Sequence, residues 1–275
     1  MRGTRRAAIE ILALAVALVV FVIPFIFIGL TAVKDQFQSL ELTFSWPTSW
    51  NLWANVQEVF ATRDNLLLTA FKNSFVLTVV AIAILIVLCS MAAFVLQRRP
   101  GKVANVVNGL ILAGLIIPPA VVPTIWVLQG LGIYKTLPGL ILVEVAFNMS
   151  FVLLLYRAFI AAIPRELDEA AIIDGCSPFT LFFRVIFPLL QPVTITVILT
   201  TSVAIFNDFV NPLYFLPGDE NATVQLTLFS FLSQFNTSYN LLFMNIAIIT
   251  IPPLILFIFF NRKIVSGMTA GAVKG

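Results

Sequence analysis

Six long apolar runs limit what this chain of 275 residues can fold into. About 20 apolar residues, each rising roughly 1.5 Å along a helix, cross a hydrocarbon core of about 30 Å. A backbone in lipid must satisfy its own hydrogen bonds, so each run is expected to be helical. The sequence therefore predicts an all-α membrane protein with six transmembrane helices. The runs are residues 11–33, 75–96, 103–134, 137–163, 185–216 and 241–261.

Two of these runs are expected to be irregular. Run 103–134 contains Pro118, Pro119 and Pro123. Because proline has no amide donor and its ring clashes with the preceding helical turn, we expect one span whose outer half is kinked or broken. Run 185–216 is longer than a bilayer requires, so its first residues are expected to lie in the interface.

The composition excludes most soluble enzymes. Only 11% of the residues are charged, whereas a soluble domain has about a quarter. Histidine is absent, which excludes His-based metal sites, Ser-His-Asp triads and Cys-His nucleophiles. The two cysteines, Cys89 and Cys176, suggest neither a disulfide framework nor a zinc cluster. We therefore predict no catalytic residue, no metal site and no cofactor bound by this chain.

The basic residues predict the orientation in the membrane. If the N-terminus is inside, eleven of the 16 Lys and Arg fall in inner segments, four fall in outer segments, and Arg157 lies within a run. Cytoplasmic loops carry this excess, so we expect both termini of a multi-pass membrane protein to lie in the cytoplasm. The net charge of +3 then indicates topology and lipid contact rather than nucleic-acid binding. The inner residues are Arg2, Arg5, Arg6, Arg98, Arg99, Lys102, Arg165, Arg184, Arg262, Lys263 and Lys274, and the outer ones are Lys34, Arg63, Lys72 and Lys135.

The first apolar run and two outer segments can each be interpreted in two ways. The first apolar run has 23 residues, against about 7 to 15 in a secretory signal, so we expect a retained anchor helix. Outer segment 34–72 contains three tryptophans near Pro47, which are typical of an interfacial anchor and, alternatively, of a docking surface. Outer segment 217–240 is either a solvated loop or a polar finger that contacts a partner or a hydroxyl-rich solute.

Segment 164–188 predicts a helix–turn–helix outside the bilayer. Pro164, three acidic residues in the first turn and Gly175 are typical of the start and end of a helix of about ten residues. Its charges exclude burial in lipid. Ser177 and Pro178 then fit the N-cap and first position of a second helix. We expect a partner that grips this segment to move the fourth and fifth spans.

The same segment resembles the EAA loop of bacterial ABC importer permeases. Glu169-Ala170-Ala171, three residues, Gly175, nine residues and then 185–188 follow the pattern EAA, three, G, nine, I-x-L-P, with Val185 and Phe187 as apolar departures. Residues 71–75 resemble the motif with which span two opens in this family, and residues 206–213 resemble the span-five motif of sugar permeases. Residues 265–275 are similar to the C-terminus of the MalG-like branch, so the resemblance implies a carbohydrate-uptake permease of the bacterial inner membrane. The resemblance covers most of the chain from residue 71 onward. It implies the type I ABC importer permease fold, with the EAA loop between spans four and five.

The resemblance also implies partners and functional residues. It implies a permease subunit that translocates a sugar or oligosaccharide delivered by an extracytoplasmic binding protein facing 217–240. A second, MalF-like permease and two ABC ATPase subunits would complete the complex. The domains would be an N-terminal anchor and outer loop, 1–70, and a permease core, 71–275, with the EAA loop at 164–188 and a cytoplasmic tail at 262–275. The ATPase-coupling residues would be Glu169, Ala170, Ala171, Asp174 and Gly175, and the tail contacts Ser266, Gly267, Thr269 and Gly271.

The energy source must lie on another chain. A phosphate-binding loop of the form G-x-x-x-x-G-K-[ST] is absent, since the only Gly-Lys pair, Gly101-Lys102, has Leu96 where the first glycine is required. ATP and Mg²⁺ are therefore expected on the partner ATPase. This chain is predicted to be a transport subunit and not an enzyme.

Polar residues within the runs have two interpretations. Amides and carboxylates suit sugar hydroxyls, so a substrate pathway would use Asn148, Asn207, Asp208 and Asn211. Alternatively, they hydrogen-bond neighbouring helices and stabilise a break near Pro212 in the fifth span. Arg157 is expected to reach the interface or pair with the EAA loop.

Two other classes of function remain as alternatives. A self-contained secondary transporter would be favoured by an inverted internal repeat, and we find none. A membrane-embedded enzyme would need several ionisable residues on one helical face, and only Glu144, Arg157 and Asp208 lie within the runs.

Overall fold

The structure, a computed structural model, describes residues 2–232 and 237–272, with side chains for 10–232 and 237–260. Every regular element in that part of the chain is helical. A π-helical turn, Leu181–Ile186, joins α9 to α10, and 3₁₀ turns cover Asp219–Asn221 and Leu226–Phe231. The α-helices are α1 (Arg2–Ala32), α2 (Gln36–Leu40), α3 (Leu52–Ala61), α4 (Leu66–Arg98), α5 (Lys102–Ile116), α6 (Val121–Gly130), α7 (Leu137–Ala161), α8 (Glu166–Ile173), α9 (Pro178–Thr180), α10 (Phe187–Leu189), α11 (Gln191–Phe206), α12 (Val210–Phe215) and α13 (Tyr239–Ala272).

The long helices confirm the all-α membrane fold. Four stretches are long and apolar enough to cross a membrane: Glu10–Ala32, Leu66–Arg98, Leu137–Ala161 and Tyr239–Phe260. Two bent pairs of helices bring the number to six if each pair is one span. The candidate spans among the described residues are thus four single helices and two bent pairs of helices.

Prolines explain both breaks. Helices α5 and α6 meet at 119°, and the residues between them include Pro118 and Pro119. Ile117, which precedes them, takes an extended backbone because proline disfavours the helical conformation in the residue before it. The predicted break in run 103–134 is confirmed. In run 185–216 the bend of 72° falls at Leu190, between Pro188 and Pro192.

The chain forms two compact units. Unit 1 contains residues 1–69 and 224–251, and unit 2 contains residues 70–223 and 252–275. Unit 1 includes α1, α2 and α3. Within it, the Phe27 ring packs against Phe44 and Phe243 at centroid distances of 5.6 and 5.5 Å.

Unit 2 contains a large buried cluster from α4, α5, α7 and α11. Tyr156 of α7 is fully buried and donates its hydroxyl to Thr194 Oγ1 at 3.0 Å, which joins α7 to α11. Helices α5 and α7 also approach closely, since a Cβ on Gly114 would lie 2.5 Å from Ser150 Oγ. Tight helix packing through small residues is typical of membrane bundles.

Outer segment 217–240 is more buried than either interpretation of it expected. Ala222, Thr223, Val224, Thr227 and Phe231 are all buried, although they belong to a segment rich in polar residues. Residues 233–236 lie outside the described part of the chain. The described part of this segment is therefore packed against protein rather than being a freely solvated loop.

Candidate functional site

Helix α8 is the centre of the predicted EAA loop. It begins with Glu166, Asp168 and Glu169 in its first turn, where carboxylates complement the helix dipole. It ends at Ile173, so it has eight residues rather than the ten expected. Gly175 follows with a φ of +79°, a conformation that glycine adopts without strain. The Cys176 amide then donates to Ala171 O at 3.0 Å and closes the helix.

The second helix of the segment begins as predicted. Ser177 is the N-cap, and its Oγ accepts the Thr180 amide at 3.3 Å. Pro178 occupies the first helical position, where its missing amide costs no hydrogen bond. The turn of Gly175 to Pro178 therefore sets the direction in which the chain leaves α8.

The predicted coupling residues divide between the two sides of α8. Glu169, Ala170, Asp174 and Gly175 are exposed. Ala171 is buried and joins the main cluster of unit 2, which distinguishes its side chain from those of the exposed coupling residues. Helical geometry explains this division, because adjacent residues in a helix point about 100° apart.

A buried ion pair fastens α8 to α4. Arg98 Nε lies 2.6 Å from Asp168 Oδ2, and Arg98 Nη2 donates to Ile163 O at 3.1 Å. The two charged side chains are only 12% and 13% exposed. This contact was not predicted from the sequence. The available signal was that Arg98 and Asp168 lie on the same predicted side of the membrane, but the sequence does not say which helices are neighbours.

The polar residues within the spans form a network around Glu144. Glu144 of α7 is buried, and its Oε1 accepts Asn211 Nδ2 of α12 at 3.0 Å. Its Oε2 accepts Asn148 Nδ2 at 3.3 Å, and the same amide donates to the Glu144 carbonyl at 2.8 Å. One carboxyl group therefore joins the fourth span to the broken end of the fifth.

The break in the fifth span lies before Pro212, between α11 and α12. Asn207 ends α11, and its amide donates to Val203 O at 3.1 Å. Asp208 Oδ1 accepts the amides of Val210 and Asn211 at 2.9 and 3.3 Å, so it caps the start of α12. Asn148, Asp208 and Asn211, which were predicted for the substrate pathway, thus engage protein groups through their side chains. This geometry favours the alternative in which they stabilise the break.

Arg157 does not pair with the EAA loop, whose residues 164–188 all lie within the described part of the chain. Its guanidinium donates to Asn108 Oδ1 of α5. The prediction that Arg157 pairs with the EAA loop was therefore wrong. The Arg157 Nε is buried and has no hydrogen-bond partner within the described residues.

Two other predictions concern the chain's end and its metal-binding potential. Ser266, Gly267, Thr269 and Gly271 lie beyond residue 260, outside the residues whose side chains are described. Among the described residues, no group of three His, Cys, Asp or Glu side chains is placed to hold a metal ion.

Comparison with known proteins identifies the family. A family model described as binding-protein-dependent transport system inner membrane component matches residues 90–270, which include α8, the Glu144 network and both broken spans. The chain belongs to this family.

Two relatives among these permeases match nearly all of the chain. The melibiose/raffinose/stachyose import permease MelC of Bacillus subtilis is 30% identical, with 100% of each chain covered, and the starch degradation products transport permease AmyC of Thermoanaerobacterium thermosulfurigenes is 32% identical, with 91% of each covered.

A solved permease structure has the same fold. It comes from a crystal structure of a bacterial ABC transporter involved in the import of the acidic polysaccharide alginate. The TM-score is 0.83, the identity 18%, and 95% of this chain and 98% of that chain are covered. The chain is accordingly a multi-pass ABC importer permease, a transport subunit of the membrane.

Proposed function

We propose that this permease translocates a sugar or oligosaccharide that an extracytoplasmic binding protein delivers. The names of MelC and AmyC refer to sugars and starch fragments, and the description of the family refers to binding proteins. A second permease would complete the pathway. Two ATPase subunits would supply the energy with ATP and Mg²⁺ bound to them.

The observation that carries this proposal is the construction of α8. One side of the helix is held by Ala171 and by the Arg98–Asp168 pair, and the other side presents Glu169 and Ala170 to solvent. Leu167, Ile172 and Ile173 of this short helix are 41%, 60% and 85% exposed, and a group of exposed apolar side chains is typical of a surface that a partner covers. A helix fixed on one side and open on the other is suited to transmit force from a docked subunit.

The coupling step follows from these contacts. An ATPase would bind the exposed side of α8 at the cytoplasmic surface. When the ATPase moves, α8 would displace α4 through the Asp168–Arg98 ion pair and the buried cluster through the packing of Ala171. The tail residues Ser266, Gly267, Thr269 and Gly271 would form a second ATPase contact. Movement of these spans would open the pathway alternately to the two sides.

The polar network around Glu144 would hold helices together during this movement, and it would not act mainly as a sugar-binding site. Glu144 and Asp208 would keep α12 attached to α7 while the spans shift. In this arrangement the break in the fifth span is a preformed bend, and no backbone group has to be newly exposed to lipid when the pathway changes shape.

Purification of the chain with its native partners tests the proposal. We expect an ATPase, a second permease and a sugar-binding protein to copurify, and the assembly in proteoliposomes to take up maltotriose or raffinose only with internal ATP. Ala170→Glu, which adds charge and bulk on the exposed side of α8, should abolish uptake without loss of the chain from the membrane. Ala61→Glu, at an exposed alanine that ends α3, is the matched control and should transport normally.

Other outcomes would refute it. Uptake by the chain alone without ATP would indicate a secondary transporter. Uptake of neither sugar by the complete assembly would contradict the proposed substrate class, and normal uptake by Ala170→Glu would contradict the coupling role of α8.

A further inference from the structure

Unit 1 contains a polar cavity that the transport cycle described above does not use. It has a volume of about 220 Å³ and is partly open to solvent. Its walls come from the Asp35 turn, from one face of α3 and from the start of α13, with Asn51, Asn55, Glu58 and Asn240 among the lining residues. Since residues at spacings of three, four and seven share a helix face, Asn51, Asn55 and Glu58 all point to the same side of α3.

Hydrogen bonds fix the orientation of the two buried amides in this cavity. Asn55 Nδ2 donates to the carbonyls of Ala32 and Lys34 at 2.8 and 2.9 Å. Both of its amide hydrogens are therefore used, and Asn55 Oδ1 must be the atom that accepts Asn240 Nδ2 at 3.0 Å. The carbonyl oxygen of the Asn240 side chain is consequently left as an acceptor.

That acceptor has no partner within the described residues. Asn240 is only 5% exposed, and its Oδ1 is buried without a hydrogen bond. Buried polar atoms in folded proteins are nearly always paired, so an unpaired oxygen on a residue that lines a cavity points to a ligand or water that donates a hydrogen bond to it after a small local rearrangement.

The other polar groups of the cavity also favour a donor. Glu58 lies on the wall with an exposed carboxylate, and Asp35 contributes a second carboxylate that already accepts the Gln38 amide and the Ser49 hydroxyl. Neither Lys nor Arg is among the residues that line the cavity. The nearby Lys34 ammonium is committed to Thr43 O at 2.7 Å and Ser45 Oγ at 3.1 Å. The cavity therefore offers acceptors and little positive charge.

We propose that this cavity is a subsite for the hydroxyl groups of the transported sugar, which rests on the proposed function of the permease. Two hydroxyl groups of one sugar can donate to two acceptors, one hydroxyl to a carboxylate and the other to an amide oxygen. Glu58 and Asn240 supply those two acceptors. Anionic solutes are disfavoured by the two carboxylates. The subsite lies on segments predicted to face outward, where a solute arrives before it enters the spans.

Protection from chemical labelling tests the subsite. Ala54 lines the cavity, so Ala54→Cys, in a background with Cys176→Ser, places a thiol in it while the remaining Cys89 is buried. In the assembled transporter in nanodiscs, maltotriose or raffinose at millimolar concentration should slow maleimide labelling of this thiol by about fivefold. Gln57→Cys, on the same helix but not lining the cavity, should label at an unchanged rate. Adding Glu58→Gln to Ala54→Cys should remove most of the protection.

The outcomes separate this inference from the proposed function. Uptake of a sugar that gives no protection at Ala54→Cys would refute the subsite and leave the transport function standing. Protection without uptake would support the subsite and refute the proposed function. Protection by Ca²⁺ alone, or equal protection of Gln57→Cys, would show a cation site or a general change in accessibility and would overturn the inference.

Discussion

Removal of the Asp168 carboxylate charge is the sharpest test of how α8 is held. Asp168→Asn preserves the size of the side chain but leaves the Arg98 guanidinium without its counter-ion. That guanidinium is only 12% exposed, and Ile163 O remains as an uncharged acceptor. We expect α8 to detach more readily from α4, because an unpaired charge in a buried position favours any conformation that exposes it to water.

The size of the effect follows from the burial of the pair. Breaking a buried ion pair by removing one partner costs about 3 to 5 kcal/mol, and the residual exposure of both groups places this pair near the lower value. A loss of about 3 kcal/mol corresponds to a roughly 150-fold increase in the detached population, at about 1.4 kcal/mol per factor of ten. Removing both charges, as in Arg98→Leu with Asp168→Leu, should cost much less, since no buried charge is then unpaired.

Hydrogen exchange of the purified chain measures this equilibrium. The amides of Asp174 and Cys176, which donate to Ala170 O and Ala171 O, report whether α8 is intact and docked. They should exchange about 100-fold faster in Asp168→Asn and only slightly faster in the double variant. Glu166→Gln is the control, because it removes a carboxylate from the same turn that is exposed. Equal effects of Asp168→Asn and Glu166→Gln, or an equal loss in the double variant, would refute the ion-pair argument.

Three further predictions concern single residues. Gly175→Ala should lower the free energy of unfolding by about 1 kcal/mol in thermal or denaturant unfolding and Gly175→Asn by less, because the φ of +79° strains a side chain although no atom lies within 4 Å of the added Cβ. Glu144→Ala should cost about 2 kcal/mol, since Asn211 loses its acceptor, and Glu144→Gln should cost less; equal losses measured by thermal unfolding would contradict a role for that hydrogen bond. The Gln38 amide and the Ser49 hydroxyl lower the pKa of Asp35, so its contribution to stability is present above its unfolded value near 3.9 and is lost as pH falls through the lower folded pKa. Tryptophan emission between pH 5 and 2 should report this loss, and an identical acid transition in Asp35→Asn would show that Asp35 is not its source.

Several features of the fold could be predicted because they depend on local physics. A stretch of apolar residues long enough to cross a bilayer must be helical in lipid, so the spans were predictable from length and hydropathy alone. Paired prolines at 118 and 119 break a helix wherever it lies, so the bend between α5 and α6 was predictable too. The same holds for the start of the second helix at Ser177 and Pro178.

Other features depend on which helices become neighbours. The Glu144–Asn211 bond joins residues 67 positions apart, and the Arg98–Asp168 contact joins residues 70 positions apart. Nothing in the sequence near Arg98 indicates that a carboxylate lies beside it. The burial of Ala171 next to the exposed Ala170 likewise depends on the rotation of α8 about its axis, which the packing of that helix determines.

The sequence by itself thus determined that this is an all-α membrane protein with six long apolar runs and a break in run 103–134, because these features follow from local composition and spacing. The location of the EAA loop came from the resemblance of its motif to that of a known family. Only the tertiary structure decided which side of α8 is free, which charges hold it and how the polar groups of the fourth and fifth spans are paired. It also brought Asn55 and Asn240, 185 residues apart, into one cavity wall with an acceptor left open. The physical reason is that hydrogen bonds and ion pairs between helices depend on relative position and rotation, which apolar patterns specify only loosely in a lipid environment where every face of a span can be apolar.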